Sequence, residues 1–515
     1  MASAQSKPNP GRQVRRHARA VFLGVALISI IVLVSTSGSW TLEQSGATQS
    51  AASTPALTVD PSRLGPRFAL GAVGISLEAD KLATPALRAS HKSLVALMRQ
   101  LGPAVLRLAG SSVDYSWWMN SIEQRPSWAT SVITPAEIGV LRGLLAATGW
   151  RVILGIDLAH FDPARAANEA RVVAEILGSH LLGFEVGNEP NGYALPLDGF
   201  RSSSYNASNY LDEVATYASA MRRALPGVRL YGPDLGLSSL QSWLPTIASS
   251  KSTSFVELTQ HYYPTSYSVS RGICKGTPVP TSLELLSPQV RERESTFLQT
   301  IVRAGEIAHR RTRISETNDT SSCDASGGPD TSPVFASALW SLDWILRSAS
   351  AGVAGINFHG EFGLCLPNTM SPVCSPSDAA LARGEVVARP EYYGLLAARK
   401  LEGGRFVPLR MSGEDAAGDL TAYATLHPHA RITLAVDNFA TKNVSLTLDV
   451  PGYQRATSES LTAPSVSATR DVTLGHASVN RAGLLHPTPT VLSGTDGGLR
   501  IALAPTSAVV VTLYR

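Results

Sequence analysis

Two glutamates of this chain stand where apolar segments stop, which is where a folded protein can use a carboxylate in chemistry. Glu189 follows the apolar run 181–186 within the segment GFEVGNEP, and Glu316 ends the short run TRISE. A carboxylate is too costly to bury without a partner, so each is expected to face a cavity. Two carboxylates that flank a bond are what hydrolysis of a glycosidic bond requires. The alternative is that Asn188-Glu189-Pro190 caps the start of a helix, but a cap would not explain Glu316.

The segment QHYY supplies two further polar side chains. His261 and Tyr263 are two residues apart and therefore share one face of a strand, whereas Tyr262 points the other way. Tyr263 is predicted to donate a hydrogen bond to Glu316, which would keep that carboxylate ionised and oriented. The alternative is that these aromatic residues form a packing cluster.

Other polar residues near predicted strand ends are candidates for contacts with substrate hydroxyl groups. They are Glu78 in SLEADKLAT, Arg107 in the second strand, and Gly110, Ser111 and Asp114 in and after the turn that follows it. A structural or salt-bridge role is the alternative for this group. His359, within INFHG, is a candidate donor to an anionic substrate group. A hydrogen bond within the barrel rim is its alternative.

Strand-like and helix-like segments alternate along the middle of the chain. Apolar runs bounded by turn residues predict eight strands, at 70–76, 104–110, 151–158, 181–187, 228–234, 256–263, 312–316 and 353–360. Between them apolar residues recur at three- and four-residue spacing, which is typical of amphipathic helices. This α/β pattern predicts a (β/α)8 TIM barrel over 70–388, with Glu189 after the fourth strand and Glu316 ending the seventh. An open doubly wound sheet is disfavoured because no glycine-rich phosphate turn follows a strand.

The pattern changes after the helix-like segment EYYGLLAARKL to short alternating strands separated by turn residues, with few helical signals. Residues 389–515 are therefore predicted to form a C-terminal antiparallel β-sandwich. The strand-like segment ALTVD lies before the barrel, within 56–69, and is predicted to join that sandwich.

The first 40 residues have the pattern of an export signal. Five basic residues precede the uncharged run AVFLGVALISIIVLV, and no acidic residue occurs before Glu43. The pattern predicts a cleaved signal peptide or a retained single-span anchor, followed by a polar linker over 41–55. Either outcome places the protein outside the cytoplasm or on the cell surface, with a membrane contact only through this segment. The formal net charge of +4 falls to −1 without the five basic residues, which argues against a nucleic-acid partner.

All of the cysteines lie in the second half of the chain, at Cys274, Cys323, Cys365 and Cys374. An even count in an exported chain predicts two disulfides. The predicted pairs are Cys365–Cys374, in the loop after the eighth strand, and Cys274–Cys323, which joins the loops after the sixth and seventh strands. A metal site is disfavoured because the spacings are long and no histidine pair is near. No metal and no cofactor is expected.

Four segments together carry a family resemblance. They read SLEADKLAT, LRLAGSSVDY, GNEPNGY and QHYYP, and they resemble glycoside hydrolase family 79, which contains heparanase and β-glucuronidases within the clan of retaining (β/α)8 glycosidases. The resemblance extends over nearly the whole chain after the linker. It implies that Glu189 is the acid/base, Glu316 the nucleophile, Asn188 a ligand of the sugar 2-hydroxyl group and Tyr263 a partner of the nucleophile.

The segment after Glu316 departs from this family. Members that bind glucuronate tend to have Tyr-Gly-Gly there, which holds the sugar carboxylate, whereas this chain has TNDTSSCDASGGP. In the eighth strand, Phe358 stands where a tyrosine is often found. Replacement donors are expected from Ser321, Ser322, the backbone around Gly327 and Gly328, or His359.

Together these features predict an exported retaining β-glycosidase, with an exo-acting β-glucuronidase as the leading specificity. Its partner is expected to be a carbohydrate whose terminal sugar is released by double displacement on the two glutamates. The alternatives are a glycosidase for a neutral β-hexoside and a non-catalytic carbohydrate-binding surface protein. The last is disfavoured because both carboxylates are present. Asn318 lies in a glycosylation sequon two residues from Glu316, and it is predicted to stay unmodified.

Overall fold

The computed structural model describes residues 55–515, apart from 197–198, 252–253, 268–277, 323–326, 414–417, 454 and 496–497. The predicted export segment and nearly all of the predicted linker therefore lie outside the described residues, as do Cys274 and Cys323. None of the helices in the described part of the chain combines the length and hydrophobicity that crossing a bilayer requires.

A closed barrel of eight parallel strands occupies the first two thirds of the described chain, as the sequence predicted. Each strand pairs with the next along the chain, and the eighth pairs with the first. The barrel strands, first to eighth, are Val73–Glu78, Val105–Ala109, Arg151–Ile156, Leu181–Val186, Leu230–Leu235, Phe255–Tyr262, Arg311–Thr317 and Gly355–Gly360. Their residues are buried almost continuously because helices cover the outside and side chains fill the inside.

Helices follow the barrel strands and cover them. In the described residues the covering helices are Lys92–Gln100, Pro135–Thr148, Pro163–Leu177, Ala207–Ala224, Leu244–Ser249, Pro288–Ala308, Phe335–Ser350 and Pro390–Arg399. Shorter α-helices lie at Ser282–Leu285 and Asp378–Ala382. Single 3-10 turns lie at Ala79–Ala83, Pro85–Leu87, Ser111–Tyr115, Gly178–His180, Pro190–Gly192, Leu237–Ser239 and Pro428–Ala430.

Local capping chemistry fixes where these helices start. Before Pro135–Thr148, the backbone N–H of Thr134 donates to Glu137 Oε2 over 2.9 Å, and the N–H of Ala136 donates to Thr134 Oγ1. This capping box satisfies donors that the first turn leaves free. The helix then ends at Gly149, whose φ of 76° suits glycine. The third strand starts two residues later, at Arg151.

The inside of the barrel contains both polar and apolar groups. Near the strand starts, Arg313 Nε donates to Glu257 Oε2 over 2.9 Å, and Arg313 Nη1 donates to Asn357 Oδ1 over 3.0 Å. A small apolar cluster beside them consists of Val105, Ile153 and Tyr231. Arg107 lies two residues after Val105 and on the same face of the second strand. The inward-facing position that follows this apolar cluster, nearer the strand ends, is therefore occupied by a charged side chain.

A β-sandwich follows the barrel, as predicted. Its strands are Arg405–Val407, Leu409–Ser412, Leu420–Leu426, Ile432–Asn438, Val444–Asp449, Arg455–Thr462, Thr473–Leu474, Thr490–Thr495, Gly498–Leu503 and Ser507–Tyr514. The early strand Ala56–Val59 joins them, pairing antiparallel with Leu409–Ser412 and parallel with Val444–Asp449. The other pairs of this sheet are antiparallel, and its apolar core includes residues of the early strand. Two-stranded pairs elsewhere join Ser116–Trp118 to Ser131–Ile133, Thr265–Tyr267 to Thr320–Ser322, and Val373–Cys374 to Val387–Ala388.

The helix Pro390–Arg399 packs along Phe335–Ser350 on the outside of the barrel. Gly394 allows this close approach, because a Cβ there would lie 2.2 Å from the carbonyl oxygen of Ala338. The sandwich strands begin after this helix, at Arg405, and the helix corresponds to the helix-like segment EYYGLLAARKL of the sequence.

The predicted disulfide Cys365–Cys374 is confirmed, with Cα atoms 5.1 Å apart. It closes the loop after the eighth strand. The predicted partner pair, Cys274–Cys323, lies outside the described residues.

Two helical glycines provide a matched test of this packing. Gly394→Ala is expected to destabilise the fold by about 1–3 kcal/mol, because the added methyl group forces two packed helices apart. Gly139→Ala, on an exposed position where a Cβ meets nothing within 4 Å, is expected to stabilise by about 0.5–1 kcal/mol. Urea unfolding of both variants measures the difference. Equal stabilities would show that the helices tolerate the methyl group.

Candidate active site

The carboxyl ends of the barrel strands bring Glu189 and Glu316 together. A carboxylate oxygen of each and a ring nitrogen of His261 all lie within 4.8 Å of one another. The Glu189 side chain is 43% exposed and that of Glu316 is 11% exposed. One carboxylate is therefore open to solvent and the other is largely enclosed.

Glu189 adopts a backbone conformation that is uncommon for a non-glycine residue, with φ 45° and ψ 51°. Its N–H donates to the carbonyl oxygen of Asp234 over 2.9 Å, and its own carbonyl oxygen accepts from Gly192 over 2.7 Å. Left-handed backbone at a glutamate costs on the order of 1 kcal/mol, so the surrounding hydrogen bonds must enforce it. The chain turns sharply here, directly after the fourth strand.

Glu316 is held as a carboxylate by donors on several strands. Arg107 Nη1 donates to Oε2 over 2.7 Å and the Tyr263 hydroxyl donates to Oε1 over 2.9 Å. His359 Nδ1 lies 3.6 Å and His261 Nδ1 lies 3.9 Å from its oxygens. Burial alone would raise the pKa of Glu316, but His359, His261, Arg107 and Tyr263 outweigh it and lower the pKa to about 2. Glu316 is thus ionised at neutral pH.

Arg107 is the centre of this arrangement and has no exposed surface. Its Nε donates to Glu185 Oε2 over 2.6 Å, and its Nη2 donates to Asn188 Oδ1 over 2.9 Å and lies 3.6 Å from Asp234 Oδ2. The sequence suggested that Arg107 contacts sugar hydroxyl groups. That suggestion is wrong, because a fully buried guanidinium beneath the carboxylates cannot reach a ligand.

His261 bridges two carboxylates. Its Nδ1 lies 2.9 Å from Glu189 Oε1, and its Nε2 lies 3.4 Å from Asp234 Oδ1. Burial lowers the pKa of His261, but Glu316, Asp234 and Glu189 together raise it to about 10. The ring is therefore an imidazolium at neutral pH and donates from both nitrogens. His261 was a candidate for substrate binding from its place on the sixth strand, but both of its ring nitrogens face carboxylates, so its role is to position Glu189.

Asn188 is oriented by the same guanidinium. Its Oδ1 accepts from Arg107, so the Nδ2 group is the end of the amide left for a ligand. No hydrogen bond to Nδ2 occurs among the described residues. An amide fixed in this way is suited to donate to a sugar hydroxyl group.

Asp114 lies in the wall behind Glu189 rather than at the barrel mouth. Both of its oxygens accept from the Tyr193 hydroxyl over 2.7 Å, and Oδ1 also accepts from the N–H groups of Leu158 and Ala159. Tyr193 in turn lies 3.4 Å from the backbone nitrogen of Asn188. Buried and saturated with protein donors, Asp114 braces the ends of neighbouring strands.

Glu78 occupies the space above Gly110. A Cβ on Gly110 would lie 2.3 Å from Glu78 Oε1, and the φ of 67° at this position also favours glycine. Glu78 Oε2 accepts from the N–H of Ser112 over 2.7 Å, which ties the first strand to the turn after the second. Ser111 is exposed at the same turn. Glu78 and Ser111 are thus the members of this predicted group that remain accessible at the rim.

His359 lies between the first, seventh and eighth strands. Its Nδ1 is 3.3 Å from Ser76 Oγ and its Nε2 is 3.7 Å from Glu78 Oε1. The predicted donors after the seventh strand are less available. Gly327 N–H donates to Asn368 O over 2.7 Å and Gly328 N–H donates to Ser332 Oγ over 3.0 Å. Ser321 is half-buried, and the side chain of Ser322 lies outside what the structure describes.

Asn318 is fully buried, and its Nδ2 donates to the carbonyl oxygen of His359 over 2.7 Å. A glycan would be attached to this nitrogen, so the folded protein has no room for one. The prediction that Asn318 stays unmodified agrees with this geometry.

Three acidic or aromatic groups of the site were not anticipated from the sequence. Asp234 is the last residue but one of the fifth strand and accepts a hydrogen bond from Ser315. Glu185 interrupts the apolar run of the fourth strand, and Tyr193 follows GNEPNG. The strand-end argument that found Glu189 applies equally to Asp234. Burial raises the pKa of Glu185 well above its usual range, against the pull of Arg107. Nothing local in the sequence indicates that partner.

Within the described residues, Glu189, His261 and Glu316 form a group compact enough to hold a metal ion. Two positive charges already occupy its surroundings, since Arg107 contacts Glu316 directly and His261 is an imidazolium. A divalent cation would be repelled by both. The arrangement instead suits proton transfer and nucleophilic attack.

No protein-family model and no curated protein matches this chain. Solved structures do resemble it. A 4-O-α-L-rhamnosyl-β-D-glucuronidase from Fusarium oxysporum 12S has a TM-score of 0.72 at 18% identity, over 88% of this chain and 98% of its own. A family 51 arabinofuranosidase from Xanthomonas axonopodis pv. citri has a TM-score of 0.63 at 14% identity, over 89% of this chain and 99% of its own. A xyloglucanase of family 44 from Paenibacillus polymyxa has a TM-score of 0.59 at 11% identity, over 90% of this chain and 100% of its own. At these identities the likeness shows the shared fold alone.

Removal of the central guanidinium should cost far more than removal of a surface one. Arg107→Met is expected to destabilise the protein by about 3–5 kcal/mol, because it leaves buried carboxylates unpaired. Arg171→Met breaks an exposed pair with Glu175, 2.6 Å long, and is expected to cost under about 1 kcal/mol. Urea unfolding at neutral pH measures both. Similar losses would mean that the buried network does not depend on Arg107.

Proposed function

We propose that the protein is a retaining β-glycosidase in which Glu316 is the nucleophile and Glu189 is the acid/base. The observation that carries this proposal is the pair of carboxylates, whose oxygens lie within 4.8 Å of each other across the barrel mouth. Retaining glycosidases have carboxyl groups about 5–5.5 Å apart, whereas inverting enzymes need about 6.5–9.5 Å for an intervening water. Carboxylate oxygens that approach within 4.8 Å support the first class.

In the first step, Glu316 Oε attacks the anomeric carbon while Glu189 gives its proton to the glycosidic oxygen. The carbon–oxygen bond to the leaving group breaks, and an ester forms between the sugar and Glu316. Arg107, Tyr263 and the two histidines keep Glu316 ionised and aimed before the attack. His261 holds Glu189 Oε1, which leaves Oε2 for the leaving group.

In the second step, Glu189 takes a proton from water, and the resulting hydroxide attacks the same carbon from the face that the leaving group left. The ester bond to Glu316 breaks and the carboxylate is restored. Two inversions give net retention. The exposure of Glu189 supports this role, because water must reach it after the leaving group departs.

For the sugar, we propose a terminal β-glucuronide. The family resemblance of the sequence motifs supports this choice, and so does the description of the Fusarium oxysporum 12S structure as a glucuronidase. His359 is the donor best placed to approach a sugar carboxylate, since it lies at the end of the eighth strand beside Glu316. The export pattern of the first 40 residues supports action outside the cytoplasm or at the cell surface.

A neutral β-hexoside is the second candidate, and specific contacts favour it. The N–H groups of Gly327 and Gly328 are already bonded within the protein. Glu78 lies 3.7 Å from His359 and would repel a second anion near that ring. A hexose hydroxyl group could instead donate to Glu78.

The catalytic assignment predicts different behaviour for the two glutamates. Glu316→Ala should abolish turnover of aryl β-glycosides. Glu189→Ala should lose activity toward substrates with poor leaving groups, and added azide should restore turnover of activated substrates, because azide attacks the sugar ester without a base. Exposed Glu175→Ala serves as the control and should keep wild-type rates. An NMR time course should show the β-anomer as the first product, and an α-anomer would refute retention.

The sugar assignment predicts a preference that depends on His359. An aryl β-glucuronide should be cleaved at least about tenfold faster, in kcat/KM, than the matching β-glucoside. His359→Ala should reduce that ratio, because it removes the donor proposed for the sugar carboxylate. The control is to measure the β-glucoside with the same variant, since a general loss of activity lowers both rates together. A wild-type preference for the glucoside would instead establish the neutral-sugar alternative and leave the catalytic pair intact.

A further inference from the structure

A cavity of about 180 Å³ lies at the end of the barrel opposite the two glutamates. It is lined by the first residues of several barrel strands and by the segment that leads into the first strand, and it opens to solvent, because Arg151, Arg229 and Arg311 are exposed. Its charged lining residues are Arg151, Arg229, Glu257, Arg311 and Arg313. Four guanidinium groups therefore share this space with one carboxylate.

The strand register explains why these residues meet. Arg151 is the first residue of the third strand and Arg311 is the first residue of the seventh, while Arg229 directly precedes the fifth. Glu257, on the sixth strand, lies opposite Tyr231 on one side and Arg311 on the other. Parallel strands start at the same end of a barrel, so all of these side chains gather there.

The single carboxylate is shared by two of the arginines. Arg311 Nη2 lies 2.6 Å from Glu257 Oε1, and Arg313 Nε lies 2.9 Å from Glu257 Oε2. Arg151 and Arg229 have no ion-pair partner in the part of the chain that the structure describes. Glu402 accepts from the N–H groups of Gly71, which lines the cavity, and Val73, and it pairs with Arg399 over 2.8 Å. The cavity thus has an uncompensated positive charge.

We propose that this cavity binds a tetrahedral oxyanion, a sulfate or a phosphate group. Guanidinium groups recognise such oxygens through paired, charge-assisted hydrogen bonds, and two of them are available here. Arg229 also stands 6.0 Å from the centre of the Tyr231 ring, on the wall of the same cavity. The volume corresponds to roughly six waters, which is enough for one tetrahedral anion with part of its hydration.

The competing explanation is a purely structural cluster that closes the bottom of the barrel. Arg311, Arg313 and Glu257 fit that explanation, because their charges are paired within the protein. Arg151 and Arg229 do not take part in such pairs: they add like charge at exposed positions, where solvent alone screens their repulsion. A bound dianion would offset this repulsion and link the starts of the third, fifth and seventh strands.

Thermal unfolding of the full-length chain tests the site without reference to catalysis. Sodium sulfate and sodium phosphate are titrated up to about 20 mM against sodium chloride of equal ionic strength, because screening by salt acts on all charges. A ligand that binds the folded state alone should raise the Tm saturably, by about 1–3 °C. An equal rise in chloride would overturn the proposal.

Two double variants assign the effect to this cavity. Arg151→Ala/Arg229→Ala should need about tenfold more sulfate for half the Tm rise, and it should be no less stable than wild type without sulfate. A loss of stability without sulfate, with the titration unchanged, would establish the structural explanation instead. Arg222→Ala/Arg223→Ala removes two exposed arginines at the end of Ala207–Ala224 and should titrate like wild type.

A third arm distinguishes a free ion from an ester carried on a polymer. Dextran sulfate and unsulfated dextran are compared with sodium sulfate at equal sulfate concentration. Tighter binding of dextran sulfate, lost in Arg151→Ala/Arg229→Ala, identifies a polymer-borne sulfate ester. Binding of the free ions alone, lost in the same variant, identifies a small-ion site.

Discussion

The fully buried guanidinium group of Arg107 determines how the side chains at the mouth of this barrel are arranged. Arg107 cannot be buried alone, since the desolvation of a single charge costs several kcal/mol. Its donors are directed at partners on or just after other strands, which are Ser76 on the first, Glu185 on the fourth, Asn188 after the fourth and Glu316 on the seventh. The requirement to satisfy this one group therefore fixes the relative positions of residues that are far apart in sequence.

The same requirement makes the two glutamates different from each other. Glu316 is enclosed and surrounded by Arg107, Tyr263, His261 and His359, so its charged form is the stable one. Glu189 contacts His261 through one oxygen and leaves the rest of its carboxylate exposed. A nucleophile must be ionised and aimed, while an acid/base must exchange protons with a leaving group and with water. The enclosed residue suits the first task and the exposed residue suits the second.

The sequence predicted the barrel, the strands that carry both glutamates and the later sandwich, because these depend on patterns that are local in the chain. An apolar run that stops at a carboxylate is visible in a single segment, as at Glu189. The roles of Arg107 and Asp114 were not predictable in this way. Each is a polar residue beside a strand, and whether it faces a ligand or a buried partner depends on residues contributed by other strands. Asp234 could have been found by the strand-end argument, but its link to His261 could not.

The two ends of the barrel carry opposite excesses of charged side chains. Residues at strand starts gather at one end and residues at strand ends gather at the other, whatever their separation in sequence. Here the strand ends collect carboxylates around a single guanidinium, and the strand starts collect guanidiniums around a single carboxylate. At the first end the excess acids are the groups that the proposed chemistry uses, and histidines moderate their repulsion. At the second end no acid among the described residues pairs with Arg151 or Arg229, so an external anion is the group that would complete the balance.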